Sequence, residues 1–181
     1  MPALHHEQEK SQRIQVWDLF VRIFHWSLVL SVFAAFFFTE EGDTPHEIAG
    51  YIALGLVGAR LVWGFTGTHY ARFSQFVPSP SALLSYMMAM VKGREARFLG
   101  HNPAGAIMVF ALLVTVLAAS VSGWMLTTDT YFGEEWVEAL HDGVSNALMG
   151  LVGLHVGGVI YTSWRHGENL VRAIFTGRKP S

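Results

Sequence analysis

Four long apolar stretches alternate with polar segments along the chain, at residues 16–38 (apolar from 19 onward), 46–66, 103–127 and 137–164. A bilayer's hydrocarbon core takes about 20 residues of helix, and a helix satisfies its own backbone polar groups there. The pattern therefore predicts an all-α integral membrane protein: a four-helix up-down bundle in one domain, 1–181, with both ends of the chain on the same side. Pro103 stands at the start of the third span, where a missing backbone N–H costs nothing. Short acidic turns, 39–45 and 128–136, join spans one to two and three to four. The connection between spans two and three is longer. Within it, residues 80–92 form an apolar segment too short to cross and flanked by Lys92, Arg94 and Arg97, so it is predicted to lie as a helix in the interface. The tail repeats that style, with Leu170, Val171, Ile174 and Phe175 interleaved with Arg172 and Arg178.

Charge sets the orientation. All 12 Lys and Arg precede or open span one, end or follow span two, or follow span four, and the two acidic turns carry none. Short basic loops stay cytoplasmic, so both termini are expected in the cytoplasm. The polar start (Glu7, Gln8, Glu9, Lys10) and the lack of a small-residue cleavage site make the first span a retained one rather than a removable signal. A chain 51% hydrophobic and 14% charged, with net charge −2, carries no basic footprint for nucleic acid and meets membrane lipid instead. The absence of cysteine excludes disulfides, thiolate-held iron–sulfur clusters and thioether attachment of haem. A bound metal must use His, Met or carboxylates.

Nine histidines are many for so apolar a chain, and four of them, His25, His46, His141 and His155, fall within or at the mouths of spans. Ionisable groups are costly in a bilayer and usually functional; the plain alternative is a histidine hydrogen-bonded to a neighbouring helix. His141 and His155 are fourteen residues apart on one span, about 21 Å of rise and nearly four turns, so they face the same way at opposite depths. Counting from the span ends puts His25 at the depth of His155 and His46 at that of His141. Each pair, His25/His155 and His46/His141, can supply both axial nitrogens to a haem iron standing between helices. Structural zinc wants four converging ligands, which pairs most of a membrane apart do not provide. A haemless transporter or proton relay using the same histidines is the competing reading. Span three, without histidine, is a packing wall. Gly50, Gly143, Gly150, Gly153, Gly157 and Gly158 leave room for flat macrocycles or, alternatively, let membrane helices approach one another.

Val16-Trp17-Asp18, Phe24-His25-Trp26, His46 with Gly50-Tyr51, Arg60-Leu61-Val62-Trp63-Gly64-Phe65, Gly100-His101-Asn102-Pro103, and Leu140-His141 followed by Leu154-His155-Val156 together resemble the bacterial cytochrome b561 family. That family is similar in kind to the b-type cytochrome subunits of nickel-iron hydrogenases. The resemblance implies four spans in the bacterial inner membrane, two haem b groups with His25, His46, His141 and His155 as axial ligands, and electron exchange between the quinone pool (ubiquinone or menaquinone) and a redox partner. The partner is expected to be a periplasmic cytochrome c or a larger redox complex, with a membrane anchor of a hydrogenase or dehydrogenase as the alternative role. A quinone-reactive pocket would make the carrier a quinol:acceptor oxidoreductase.

Arg60 lies about one turn from the cytoplasmic end of span two, where it either binds a haem propionate or snorkels to the headgroups. His101, Asn102 and Trp164 cluster at that interface and would line a quinone site or, more simply, cap a loop and join an aromatic belt. His69 and His166 are expected at the surface and His5 and His6 in an N-terminal tail. Nine acidic residues, from Glu40 and Glu41 to Asp142, crowd the opposite face and would steer a basic protein to the outer haem.

Overall fold

A computed structural model of the chain describes residues 13–40 and 42–181. Expectations for His5, His6, Lys10 and Glu41 fall outside these residues. In order, the elements are β1 (Arg13–Gln15), α1 (Leu19–Phe37), α2 (Thr44–Thr66), two single 3₁₀ turns, α3 (Pro80–Val91), α4 (Pro103–Leu126), α5 (Glu135–His166), α6 (Leu170–Thr176) and β2 (Arg178–Pro180).

Side-chain caps fix where the helices begin. Asp18 Oδ1 accepts from Val21 N–H (2.8 Å) ahead of α1, Ser79 Oγ from Ala82 N–H (3.2 Å) ahead of α3, and Asn102 Oδ1 from Gly105 N–H (2.7 Å) ahead of α4. Each such cap is worth about 1 kcal/mol. Pro80 and Pro103 follow their caps at positions that need no donor. α2 begins before His46, with Pro45 in its first turn, and α5 runs beyond residue 164 to His166, where Gly167 takes the left-handed conformation (φ +63°) and closes on Ser163 O.

α1, α2, α4 and α5 are each long and apolar enough to cross a membrane. Their outward faces are apolar too: Leu30, Phe65, Val114 and Ile160 are exposed. Such surface suits lipid rather than water, and the chain is a multi-pass membrane protein. α1 packs on α2, α2 on α4 and α4 on α5, whereas α5 makes at most marginal backbone contact with α1 and α2. Phe24, Ala53, Val57, Leu113, Val116 and Leu148 form the core, closed by Phe73 from the loop after α2.

One feature departs from an all-α chain. β1 pairs antiparallel with β2, Ile14 opposite Lys179, and Val16 and Trp17 N–H both donate to Gly177 O (2.8 and 3.0 Å). Three-residue strands carry no readable alternation; an even number of spans brings them together and backbone pairing follows. Arg97 and Lys179 both bind Glu168, Lys179 at 3.3 Å, and Arg165 binds Glu95 at 3.1 Å. The tail, the α3–α4 loop and the approach to α1 are thus knitted at one end of the bundle, called here the tail end. The other, bearing the two acidic turns, is the turn end.

Candidate functional site: two facing imidazole pairs

The structure brings the four histidines together as two pairs. The ring centroids of His25 and His155 lie 6.4 Å apart, and those of His46 and His141 6.1 Å apart. With a metal–imidazole bond of about 2 Å and a ring radius of about 1.2 Å, two imidazoles gripping one iron from opposite sides have centroids about 6.4 Å apart. Both pairs match that separation. Both also bridge helices that hardly pack together, α1 to α5 and α2 to α5, which is where a flat macrocycle needs width. Among the described residues no three His, Cys, Asp or Glu converge, so each pair is a two-donor site.

The pairs differ in their surroundings. Near the turn end, His46 Nδ1 donates to Ala35 O (3.2 Å) and lies 3.3 Å from Thr39 Oγ1. His141 Nδ1 donates to Ala119 O (3.0 Å) and lies 3.1 Å from Ser122 Oγ. These contacts put the proton on Nδ1 and leave Nε2 as the donor to metal. Near the tail end, His25 Nδ1 is buried without a partner, and the His155 ring makes no hydrogen bond to the described residues.

α4, read from sequence only as a wall, therefore has a direct part in the site. Buried Ser122 contacts His141, and a Cβ on Gly123 would come within 2.9 Å of its ring, so Gly123 is what lets His141 lie against α4. A Ser-Gly step about one turn from the end of an apolar span was the signal available.

The glycines divide. Gly50 is one turn from His46 on the same face of α2, and a Cβ there would meet nothing within 4 Å. On α5, nine residues at 100° each put Gly150 half a turn from His141, with Gly143 and Gly157 beside it, all exposed. Those three face away from the histidines and do not make room beside them.

Arg60 does not snorkel. It is only 3% exposed, donating from Nη2 to Ala71 O (3.0 Å) with its guanidinium 4.9 Å from the Phe73 ring centre, and its Nη1 is buried without a partner. Fourteen residues separate His46 from Arg60, as they separate His141 from His155, so Arg60 looks from α2 toward the level of the His25/His155 pair. His101 is wedged between Trp17 (4.8 Å) and Phe76 (4.4 Å) and borders a cavity of about 320 Å³ with Tyr70, Arg97 and Gly100, whereas Trp164 is 80% exposed and takes no part in it. Asn102 is spent on capping α4. His69, in a 3₁₀ turn, borders the same cavity.

Residues 16–177 match the sequence profile of the family described as prokaryotic cytochrome b561. The chain is also similar to the probable Ni/Fe-hydrogenase B-type cytochrome subunits of Azotobacter vinelandii and Azotobacter chroococcum mcd 1, each 25% identical over 72% of this chain. It spans 66% of the length of these relatives. No solved structure gives a significant match. With nearly its whole length matched, the chain belongs to the prokaryotic cytochrome b561 family, membrane proteins that bind haem b and carry electrons.

Proposed function

We propose that this protein is a di-haem cytochrome of the bacterial inner membrane, passing electrons between the quinone pool and a redox partner. The observation that carries the proposal is the facing of His25 on His155 and of His46 on His141 at the separation two axial imidazoles require. Haem b, when bound, supplies one-electron iron chemistry. The four histidines hold it and set its orientation. On α5 the two levels are fourteen residues, about 21 Å, apart, so the pair of sites crosses most of the hydrocarbon layer. Were haem held by His25 and His155, the unpartnered Nη1 of Arg60 would be available to bind an anionic propionate.

The Lys and Arg distribution supports a cytoplasmic tail end and a periplasmic turn end. Asp43, Glu47, Asp129, Glu134, Glu135, Glu138 and Asp142 at the turn end suit a basic partner such as a periplasmic cytochrome c. The relatives' name favours a second reading for the same two sites, a cytochrome subunit within a larger hydrogenase or dehydrogenase complex. Co-purification of a large hydrophilic subunit separates that role from a free carrier.

The deciding experiment is pyridine haemochrome quantification with reduced-minus-oxidised spectra on detergent-purified protein and on four single alanine variants. Two haem b per chain are expected, His25→Ala and His155→Ala losing one spectral component and His46→Ala and His141→Ala the other. Protein without Soret absorbance under adequate haem supply would overturn the reading in favour of a haemless histidine-dependent transporter.

A further inference from the structure

We infer that the two sites are unequal in a fixed direction: the His46/His141 site takes the lower midpoint potential and the His25/His155 site the higher, so an electron runs downhill from turn end to tail end. This rests on the haem reading above. In the transfer, the iron held at the turn end goes from ferrous to ferric as the iron held at the tail end goes from ferric to ferrous, one electron leaving and one arriving.

The first observation is the hydrogen bonding of the ligands. Thr39 Oγ1 is 3.0 Å from Ala35 O, and Ser122 Oγ is 2.8 Å from Ala118 O. Each hydroxyl proton is therefore committed to a carbonyl, and the hydroxyl oxygen meets its imidazole as an acceptor. His46 and His141 each donate Nδ1–H to one backbone carbonyl and one hydroxyl oxygen. An imidazole giving its proton to such acceptors is a more basic ligand, and a more basic ligand favours the ferric ion over the ferrous. His25 and His155 have no such acceptor among the described residues. Ligand basicity thus lowers the potential at the turn end alone.

The second observation is charge, and it acts in the same sense. Reduction removes one positive charge from the iron, so nearby cations favour it and nearby anions oppose it. At the tail end the buried Arg60 guanidinium has no ion pair within contact distance among the described residues; the Asp18 carboxylate, hydrogen-bonded by Val21, Trp63 and Thr68 at the mouth of α1, is near enough to offset part of its charge but does not pair with it. Arg22 stands three residues before His25 on α1, on the same face. At the turn end the corresponding neighbour is acidic: Glu138 stands three residues before His141 on the same face of α5, while Glu47 and Asp142, next in sequence to the ligands, add negative charge at that level from other faces. Buried Arg60 is weakly screened, whereas Glu138, exposed at the mouth of α5, is screened by water and salt and contributes less.

The test is spectroelectrochemical titration of the haem-loaded full chain, the waves being assigned from the His25→Ala and His46→Ala proteins. Two waves are expected, the lower being the one that His46→Ala removes. Ser122→Ala and Thr39→Val raise only the lower wave. Arg60→Gln lowers only the upper wave, and Arg60→Lys leaves it near its original position. If His46→Ala removes the upper wave, the ordering is wrong although both haems are present. If Ser122→Ala and Thr39→Val leave the lower wave unmoved, the hydrogen bonds are not its cause. A haem count of zero overturns the di-haem reading itself, and haem stoichiometry distinguishes that result from a failed ordering.

Discussion

His101 shows what burial does to a single residue. Its imidazole is pressed between Trp17 and Phe76 with Nδ1 unpartnered, and desolvation first, then the nearby cations Arg60 and Lys179, push its pKa down to about 3. Unfolding restores an ordinary imidazole near 6.5. The unfolded chain then takes up a proton the folded one refuses, so this contribution to stability is whole above about 6.5 and is lost as the pH falls toward 3. Between pH 6.5 and 5 the loss is about 2 kcal/mol. Thermal unfolding in detergent is expected to weaken over that range in the wild type and to stay flatter in His101→Phe, since carboxylates titrate mostly below it. The four spanning histidines were legible in the sequence because an ionisable group inside an apolar run is conspicuous. His101 was singled out as well, but its burial was not legible, because a loop between Gly100 and Pro103 gives no sign that aromatic rings will close over it. Ser122 and Gly123 were missed for the same reason: their part depends on which residue of α5 arrives opposite.

The helices themselves could be read to within about three residues at each end, since long apolar runs, several with Asp, Ser or Asn before their first turn, leave little choice of start. Their facing was harder. The glycines of α5 stood out by number, but only the turn angle from His141 shows that Gly143, Gly150 and Gly157 lie on the far side. Gly64 acts across elements: a Cβ there would collide with the Phe73 ring, which closes the core over the end of α2 and lies against Arg60. Gly64→Ala is expected to push the loop of residues 67–79 off α2 and cost about 1–3 kcal/mol, the usual penalty of overpacking. Thermal unfolding of that variant beside an outward-facing control, Gly58→Ala, where a Cβ would meet no neighbour, measures it.

For the molecule as a whole, the tail end is held by charge as much as by backbone. Glu168 is buried against Lys179 and Arg97, and these cations, overcoming the opposing effect of burial, keep its carboxyl below the usual range. Glu168→Gln leaves Lys179, 5% exposed, without its carboxylate. Removing one partner of a buried pair costs about 3 kcal/mol, and the expected result is faster amide exchange at Val16, Trp17 and Gly177, with exchange in the middle of α4 unchanged. None of this network could be read from sequence, where its members are scattered charges in loops.

The knitting of the tail end has a mechanical counterpart. Trp26 of α1 stacks on Phe175 of α6 at 4.2 Å, and Arg22 reaches the carbonyl of Phe175, so α1 and the tail that follows α5 are clasped together there. At the turn end α2 is tied to the end of α4 by Tyr51 and Thr127 (3.1 Å), and the His46 and His141 rings meet between α2 and α5. α5 is seated on α4 along its length, with His141 resting on Ala119 and Ser122 at the turn end, so α4 and α5 form one firm slab and α1 with α2 another, and the seam between α5 and the α1–α2 pair is the side that backbone packing leaves least closed.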